Sequence, residues 1–264
     1  MDLGINGRVA IVSGGSRGIG HATVRQLLEE GARVMTCARH GDAAEAAAAD
    51  LHRQTGGEVR AIAADMTQPE DAGRLVAATL DAFGTVDILV NNAGTMYSGR
   101  FEELNEAGLR TQLETKLFGW MRMIRLVWPI MRERNWGRIV NVIGGAGKEP
   151  DPYMFGSGMT NSALLNMTKS LSTEFAPHNV LVNAICPGWV ATDLWQRNAG
   201  GLQKELGVAS TEEARRLATR KNALGRFGRP EELANMIAFL CSERASYITG
   251  VSVNTDGGRL KGLW

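Results

Sequence analysis

Residues 8–20, RVAIVSGGSRGIG, run an apolar segment without interruption into a glycine turn, and HATVRQLLEEG (21–31) continues with helical composition. A strand, a tight turn and a helix in that order constrain the rest of the chain. The helix must pack back onto the sheet, and the next strand then arrives parallel through a right-handed crossover. Further apolar, β-rich runs follow at ARVMTCA (32–38), EVRAIAA (58–64), VDILVN (86–91), GRIVNVI (137–143), VLVNAIC (180–186) and VSVNT (251–255), with helical segments such as DAAEAAAAD (42–50) between them. Strands this continuously apolar suit a parallel sheet buried on both faces. The pattern predicts an α/β protein: a doubly wound parallel sheet of about seven strands with helices on both faces.

The 264 residues suffice for one such domain over 1–264, and no shift of composition divides it. Hydrophobic residues at 44% provide the core, and a net charge of +1 leaves no electrostatic footprint for nucleic acid or an anionic membrane. The long stretch without a strand, about 192–229, is expected to be an insertion covering the substrate. No apolar run reaches the ~18 residues of a membrane span. The start, MDLGINGRVAIVSGG, lacks the order of a signal peptide, so a cytoplasmic protein is expected. Cys37, Cys186 and Cys241 are far apart and form no C-x-x-C pair, which predicts reduced thiols and no metal site. Asn166-Met167-Thr168 matches a glycosylation acceptor and, without secretion, is read as a chance match.

The glycine turn, spaced G-x-x-x-G-x-G, reads as a phosphate cradle of a Rossmann-type fold. Its glycines permit close backbone approach, and the free N–H groups at the helix start face a pyrophosphate. A tight connection that holds no ligand is the plain alternative. The same residues satisfy G-x-S-x-G with Ser16 as nucleophile, but the four histidines form no triad order and the elbow would sit on the first strand instead of mid-sheet.

SGGSRGIG (13–20), NNAG (91–94), GRIVNV (137–142), CPGWVATD (186–193) and the closing GRFGRPEELANMIAFLCSERASYITGVSVNTDGG (225–258) together resemble the short-chain dehydrogenase/reductase family, from about residue 6 to residue 258. The resemblance implies that Gly14, Ser16, Arg17, Gly18, Ile19 and Gly20 wrap the pyrophosphate and adenosine ribose, and that Asp65 and Met66 meet the adenine. It sets Asn91, Ala93 and Gly94 beside the ribose, and Pro187, Gly188, Val190 and Thr192 beside the nicotinamide carboxamide. The turn after the second strand reads Cys37-Ala38-Arg39-His40, with no carboxylate for a ribose 2′-OH. Arg39 with Arg17 can instead pair with a 2′-phosphate, so NADP(H) is expected over NAD(H); the plain reading of Arg39 is a solvated loop arginine. The resemblance further implies a small-molecule substrate and a homo-oligomer, dimer or tetramer.

In that family an Asn, a Ser, a Tyr and a Lys serve hydride transfer. Ungapped alignment sets Lys116 at the Asn position, Gly144 at the Ser, Ser157 at the Tyr and Asn161 at the Lys, so all four depart from the family. An unassisted Ser157 hydroxyl is too weak an acid, while Asn161 has no charge but can still hydrogen-bond a ribose hydroxyl. Tyr153 is the candidate relocated acid: if a helix begins by residue 153, then 153, 157 and 161 share one face. The family's enoyl reductases carry their Tyr seven residues before the Lys, and its dienoyl-CoA reductases carry Ser at the Tyr position but keep the Lys. Unless Lys116 swings in beside it, Tyr153 stays protonated, which suits NADP(H)-dependent reduction of an activated C=O or C=C. Tyr153 as mere pocket lining stays open. So do a non-redox enzyme (hydrolase, lyase or isomerase) that uses the nucleotide structurally or electrostatically, and a catalytically silent nucleotide-binding subunit of a hetero-oligomer. Trp120, Met121, Met123, Trp128 and Met131 read as helix packing surface; Trp189 and Trp195 read either as an apolar pocket wall or as packing.

Overall fold

The computed structural model describes residues 2–262. Seven strands, β1 (Val9–Ser13), β2 (Arg33–Ala38), β3 (Val59–Ala63), β4 (Ile88–Asn91), β5 (Gly137–Val142), β6 (Val180–Pro187) and β7 (Ser252–Thr255), form one parallel sheet in the order β3-β2-β1-β4-β5-β6-β7. Each coincides with an apolar run expected from the sequence, six of them shorter by one or two residues and β6 longer by one, through Pro187. Between them lie α1 (Gly18–Glu29), α2 (Gly41–Thr55), α3 (Pro69–Phe83), α4 (Glu106–Leu113), α5 (Gly119–Glu133), α6 (Phe155–Phe175), α7 (Asp193–Leu206), α8 (Thr211–Thr219) and α9 (Pro230–Leu240).

The period-2 alternation of each strand divides its side chains between two cores. Ala10, Val12, Ile88 and Val140 point to one face and pack with Leu27 of α1 and Ile237 of α9. Val9, Ile11, Leu89 and Ile139 point to the other, against Leu75 of α3, Val127 and Met131 of α5 and Phe175 of α6. On that second face Trp128 stacks on Phe175 with centroids 3.7 Å apart. Asp87 fastens β1 to the start of β4: its Oδ2 accepts from the Val9 N–H at 2.9 Å, and its other oxygen faces Arg8 and Arg134 at 3.6 and 3.5 Å.

Strand order reverses between β1 and β4, and in such sheets the crevice beyond the strands' C-terminal ends opens there. The stretch 192–229, strandless as expected, folds into α7 and α8. Among the described residues no helix is long and apolar enough to cross a membrane, and no cluster of His, Cys, Asp or Glu could hold a metal. All three cysteines are buried free thiols.

Candidate active site

The glycine turn is shaped by contacts that exclude side chains. Gly14 has φ +75°, and its carbonyl accepts from the Asn92 amide at 3.1 Å. A Cβ on Gly20 would lie 2.2 Å from that same carbonyl oxygen, and one on Gly15 would lie 2.1 Å from the Thr36 hydroxyl. The Ser13 hydroxyl accepts from the N–H groups of Asn92 and Ala93, both at 3.0 Å, tying the turn to the end of β4. The N-terminus of α1 has no side-chain cap and no acidic residue in its first turn, so its free N–H groups suit a phosphate. Across the crevice a Cβ on Gly18 would meet the Thr192 methyl at 3.3 Å, so the turn and the Pro187–Thr192 loop face each other. This cradle fits the pyrophosphate of a dinucleotide. Arg17 and Arg39 are exposed at the ends of β1 and β2, and among the described residues neither is in an ion pair.

A cleft opens from this turn, a concave site of the kind that holds small ligands. Of the residues expected at a cofactor, Ile19, Gly94, Asn161, Pro187, Gly188, Val190 and Thr192 line it. Asn91 does not: it is fully buried and its amide donates to Asn141 Oδ1 at 2.9 Å, whereas its neighbour Asn92 lines the cleft. Met66 is buried in the core beneath Gly119, and Asp65 Oδ1 accepts from the Thr67 N–H.

After α4 the helix widens into a π-helical turn, Glu114–Phe118, before α5 begins. Such turns re-aim side chains and recur at functional sites. Lys116, on this turn, is buried and lines the cleft. Its stem passes Gly94, where a Cβ would come within 3.2 Å. Its ammonium donates to Asn161 Oδ1 at 2.9 Å and lies 5.0 Å from the Trp120 ring centroid. Burial pulls the Lys116 pKa down to about 8, opposed only by a smaller pull from Cys186. Two polar groups expected separately from the sequence thus form one buried pair, one amide beside one ammonium.

Ser157 also lines the cleft, but its hydroxyl is engaged: it accepts from the Tyr97 N–H at 3.0 Å and donates to the Tyr97 carbonyl at 3.1 Å. The helix carrying it does not begin by residue 153. The Tyr153 carbonyl accepts from the Gly99 N–H at 2.7 Å, and Met154 forms a bridge with Gly99, so α6 starts at Phe155 and Tyr153 stays outside it. The shared face expected for 153, 157 and 161 therefore does not form. Tyr153 lines a smaller adjoining cavity with Asp151, Glu205 and Lys221, and burial raises its pKa against a smaller lowering by Ser98.

Trp189 and Trp195 line the cleft, with Trp195 edge-on to Phe227 at 5.0 Å. Among the lining residues that escaped the sequence reading are Asn92, Gln112 and Arg259. Gln112 lies four residues before Lys116, one helical turn away, a spacing that was available as a signal. Its amide oxygen and nitrogen are both buried without partners.

The family described as enoyl-(acyl carrier protein) reductase matches residues 14–259. The chain is 32% identical over 258 residues to a 3-oxoacyl-[acyl-carrier-protein] reductase of Aquifex aeolicus, covering 98% of this chain and 99% of that protein. It is 37% identical to an L-fucose dehydrogenase of Mus musculus, over 96% of this chain and 88% of that protein. Among solved structures, the L-sorbose reductase of Gluconobacter frateurii in complex with NADPH and L-sorbose superposes with a TM-score of 0.93 at 36% identity, over 100% of both chains. With its parallel seven-stranded sheet and its glycine turn at the β1 end, the chain belongs to the short-chain dehydrogenase/reductase family.

Proposed function

We propose that the protein is an NADP(H)-dependent reductase of an activated C=O or C=C, with Lys116 as its acid in place of Tyr153. The observation that carries this is the buried Lys116–Asn161 pair in the cleft between the glycine turn and the Pro187–Thr192 loop. Lys116 stands at the family's Asn position and Asn161 at its Lys position, so the ammonium and the amide have exchanged helices. Tyr153, in the adjoining cavity with its pKa raised, is the weaker candidate. NADPH, when bound, supplies a hydride to the electrophilic carbon. Lys116 then holds the substrate oxygen and gives it a proton, which water restores. Asn161 orients the ammonium with a neutral oxygen, so no carboxylate raises the pKa above the range where proton transfer is ready.

NADPH as the reductant is supported by relatives named for it, among them the NADPH-dependent reductase BacG of Bacillus subtilis, 31% identical over 97% of this chain. It is supported as well by Arg39 and Arg17 beside the expected ribose. Arg39→Ala is expected to weaken NADPH about tenfold, the scale of one charge-assisted hydrogen bond, and to leave NADH unchanged. Equal loss for both nucleotides, measured by fluorescence titration, contradicts the assignment. We also read the chain as a homo-oligomer, because Phe101 and Phe155, edge-to-face at 5.4 Å, and Met159 form an exposed apolar patch.

The test of function follows NADPH oxidation against ketones, diketones, enones and thioesters. The expected result is consumption of NADPH by at least one class, with Tyr153→Phe within about threefold of the wild-type rate. A loss of about 10² in Tyr153→Phe returns the acid to Tyr153. Conversion of a substrate with the nucleotide intact replaces the redox reading with a non-redox one.

A further inference from the structure

The C-terminal segment after β7 carries Arg259 to the boundary between the cleft and the adjoining cavity. Asp256, itself buried, accepts from the Gly258 N–H at 3.0 Å and the Leu260 N–H at 2.8 Å. Gly257 and Gly258 take positive φ, +66° and +75°, closing a tight turn around that carboxylate. The turn is pressed onto the cofactor loop, since a Cβ on Gly188 would lie 2.8 Å from the Asp256 Cβ. Beyond it, Leu260 seats against Gly145, and Glu149 accepts from the N–H groups of Lys261 and Gly262. Arg259 is thus held from both sides in sequence, and its side chain, only 18% exposed, turns back to line the cleft.

The surroundings of this guanidinium lack a full complement of partners. It lies 5.3 Å from the Trp189 ring centroid, its Nε has no partner, and its ion-pair neighbour among the described residues, Asp151, stands at 4.0 Å in the adjoining cavity, which Arg259 also borders together with Glu205. A close bidentate pair has both bonds near 2.7–2.9 Å, so the contact with Asp151 is loose. The indole N–H groups of Trp189 and Trp195, which line the same cleft, are buried without acceptors. Among the described residues lining the cleft, Lys116 and Arg259 are the charged ones, and none is acidic. A cleft with two cations, unsatisfied N–H donors and no acid selects an anion whose geometry matches a guanidinium fork.

We propose that the substrate is a small oxo acid, with its carbonyl at Lys116 and its carboxylate on Arg259. This rests on the reductase reading above and names the substrate class of that site. The carbonyl carbon takes the hydride from NADPH, which becomes NADP⁺, and the carbonyl oxygen takes the Lys116 proton. The product is a hydroxy acid, its carboxylate unchanged. Arg259 holds the carboxylate equally before and after the transfer, so it acts on binding and leaves the chemical step alone.

The experiment compares short 2-, 3- and 4-oxo acids with their methyl esters in the complete protein, by NADPH oxidation and by quenching of tryptophan fluorescence without nucleotide. The expected result is a preference for one acid over its ester of at least about tenfold in kcat/KM. Arg259→Ala should erase that preference by raising KM for the acid about 10- to 100-fold, with kcat within about threefold, and Arg259→Lys should restore part of it. Esters that match their acids in the wild type, or an Arg259→Ala loss that is equal for acid and ester, overturn the proposal. Arg259→Gln, with its melting temperature checked, replaces the Ala variant if that one does not fold. Quenching by the acid that Arg259→Ala abolishes, without NADPH consumption by any compound, keeps the carboxylate site and sinks the reductase reading. Reduction of neutral ketones alone sinks the carboxylate site and keeps the reductase.

Discussion

Lys116→Met is expected to lower kcat by about 10²- to 10⁴-fold, the range of general-acid assistance, while NADPH still binds. Methionine keeps the apolar stem that packs along Gly94 and removes only the ammonium. The pH profile gives the independent check. Burial holds the Lys116 pKa at about 8, and reduction needs the protonated form, so activity is full below about pH 8 and falls as pH rises through it. Cys186, the titratable group Lys116 feels, is pushed by its own burial up to about 11 and stays neutral throughout that range. In Lys116→Met the alkaline limb should vanish with the rate. A variant that keeps the wild-type rate and the same limb excludes Lys116 as the acid.

Gly20→Ala is expected to unfold the turn that the cofactor needs. Its added methyl would sit 2.2 Å from the Gly14 carbonyl oxygen and 2.4 Å from the Asn92 amide, and neither is the free end of a flexible chain, because each bonds the other. Overpacking of this kind costs about 3 kcal/mol or more. For a chain of this size that corresponds to a fall in Tm of about 6–12 °C. NADPH affinity should fall at least tenfold in whatever remains folded. Gly73→Ala on α3 is the control: nothing lies within 4 Å of its added methyl, and the helix gains up to about 1 kcal/mol. Equal melting temperatures for the two variants remove the steric argument for the turn.

The sheet was legible because each strand declares itself locally, as an apolar run, and the five inner strands are the ones buried on both faces. The glycine turn was legible for the same reason. The chemistry was not, because its determinants are distant in sequence. Lys116 and Asn161 are 45 residues apart, and matched one at a time against a family pattern each reads as a loss. Only when α5's π-helical entry and α6 come together does the pair appear. Tyr153 shows the converse: its helical register depends on a bridge to Gly99, which no local signal announces, and that bridge removes it from the helix. Arg259 follows a Gly-Gly turn in a stretch that reads as an ending, and its inward course depends on Asp256 and Gly145.

The order of the strands bears on how the chain is made. β1 meets β2 through residues 24 apart, as in the Thr36 hydroxyl bond to the Val12 carbonyl, but its other neighbour comes 78 residues on, where Asp87 accepts from Val9. At about 5 to 20 residues per second of synthesis, those 78 residues take about 4 to 16 s. During that interval the β4-facing edge of β1 is an unpaired apolar template on the ribosome, open to the same edge on a neighbouring chain. Parallel sheets with such separations fold slowly, so soluble yield is set by the race between arrival of Asp87 and encounter with another nascent β1. Slower initiation spaces nascent chains without delaying the arrival of Asp87, so expression at low polysome density favours correct pairing of β1 with β4.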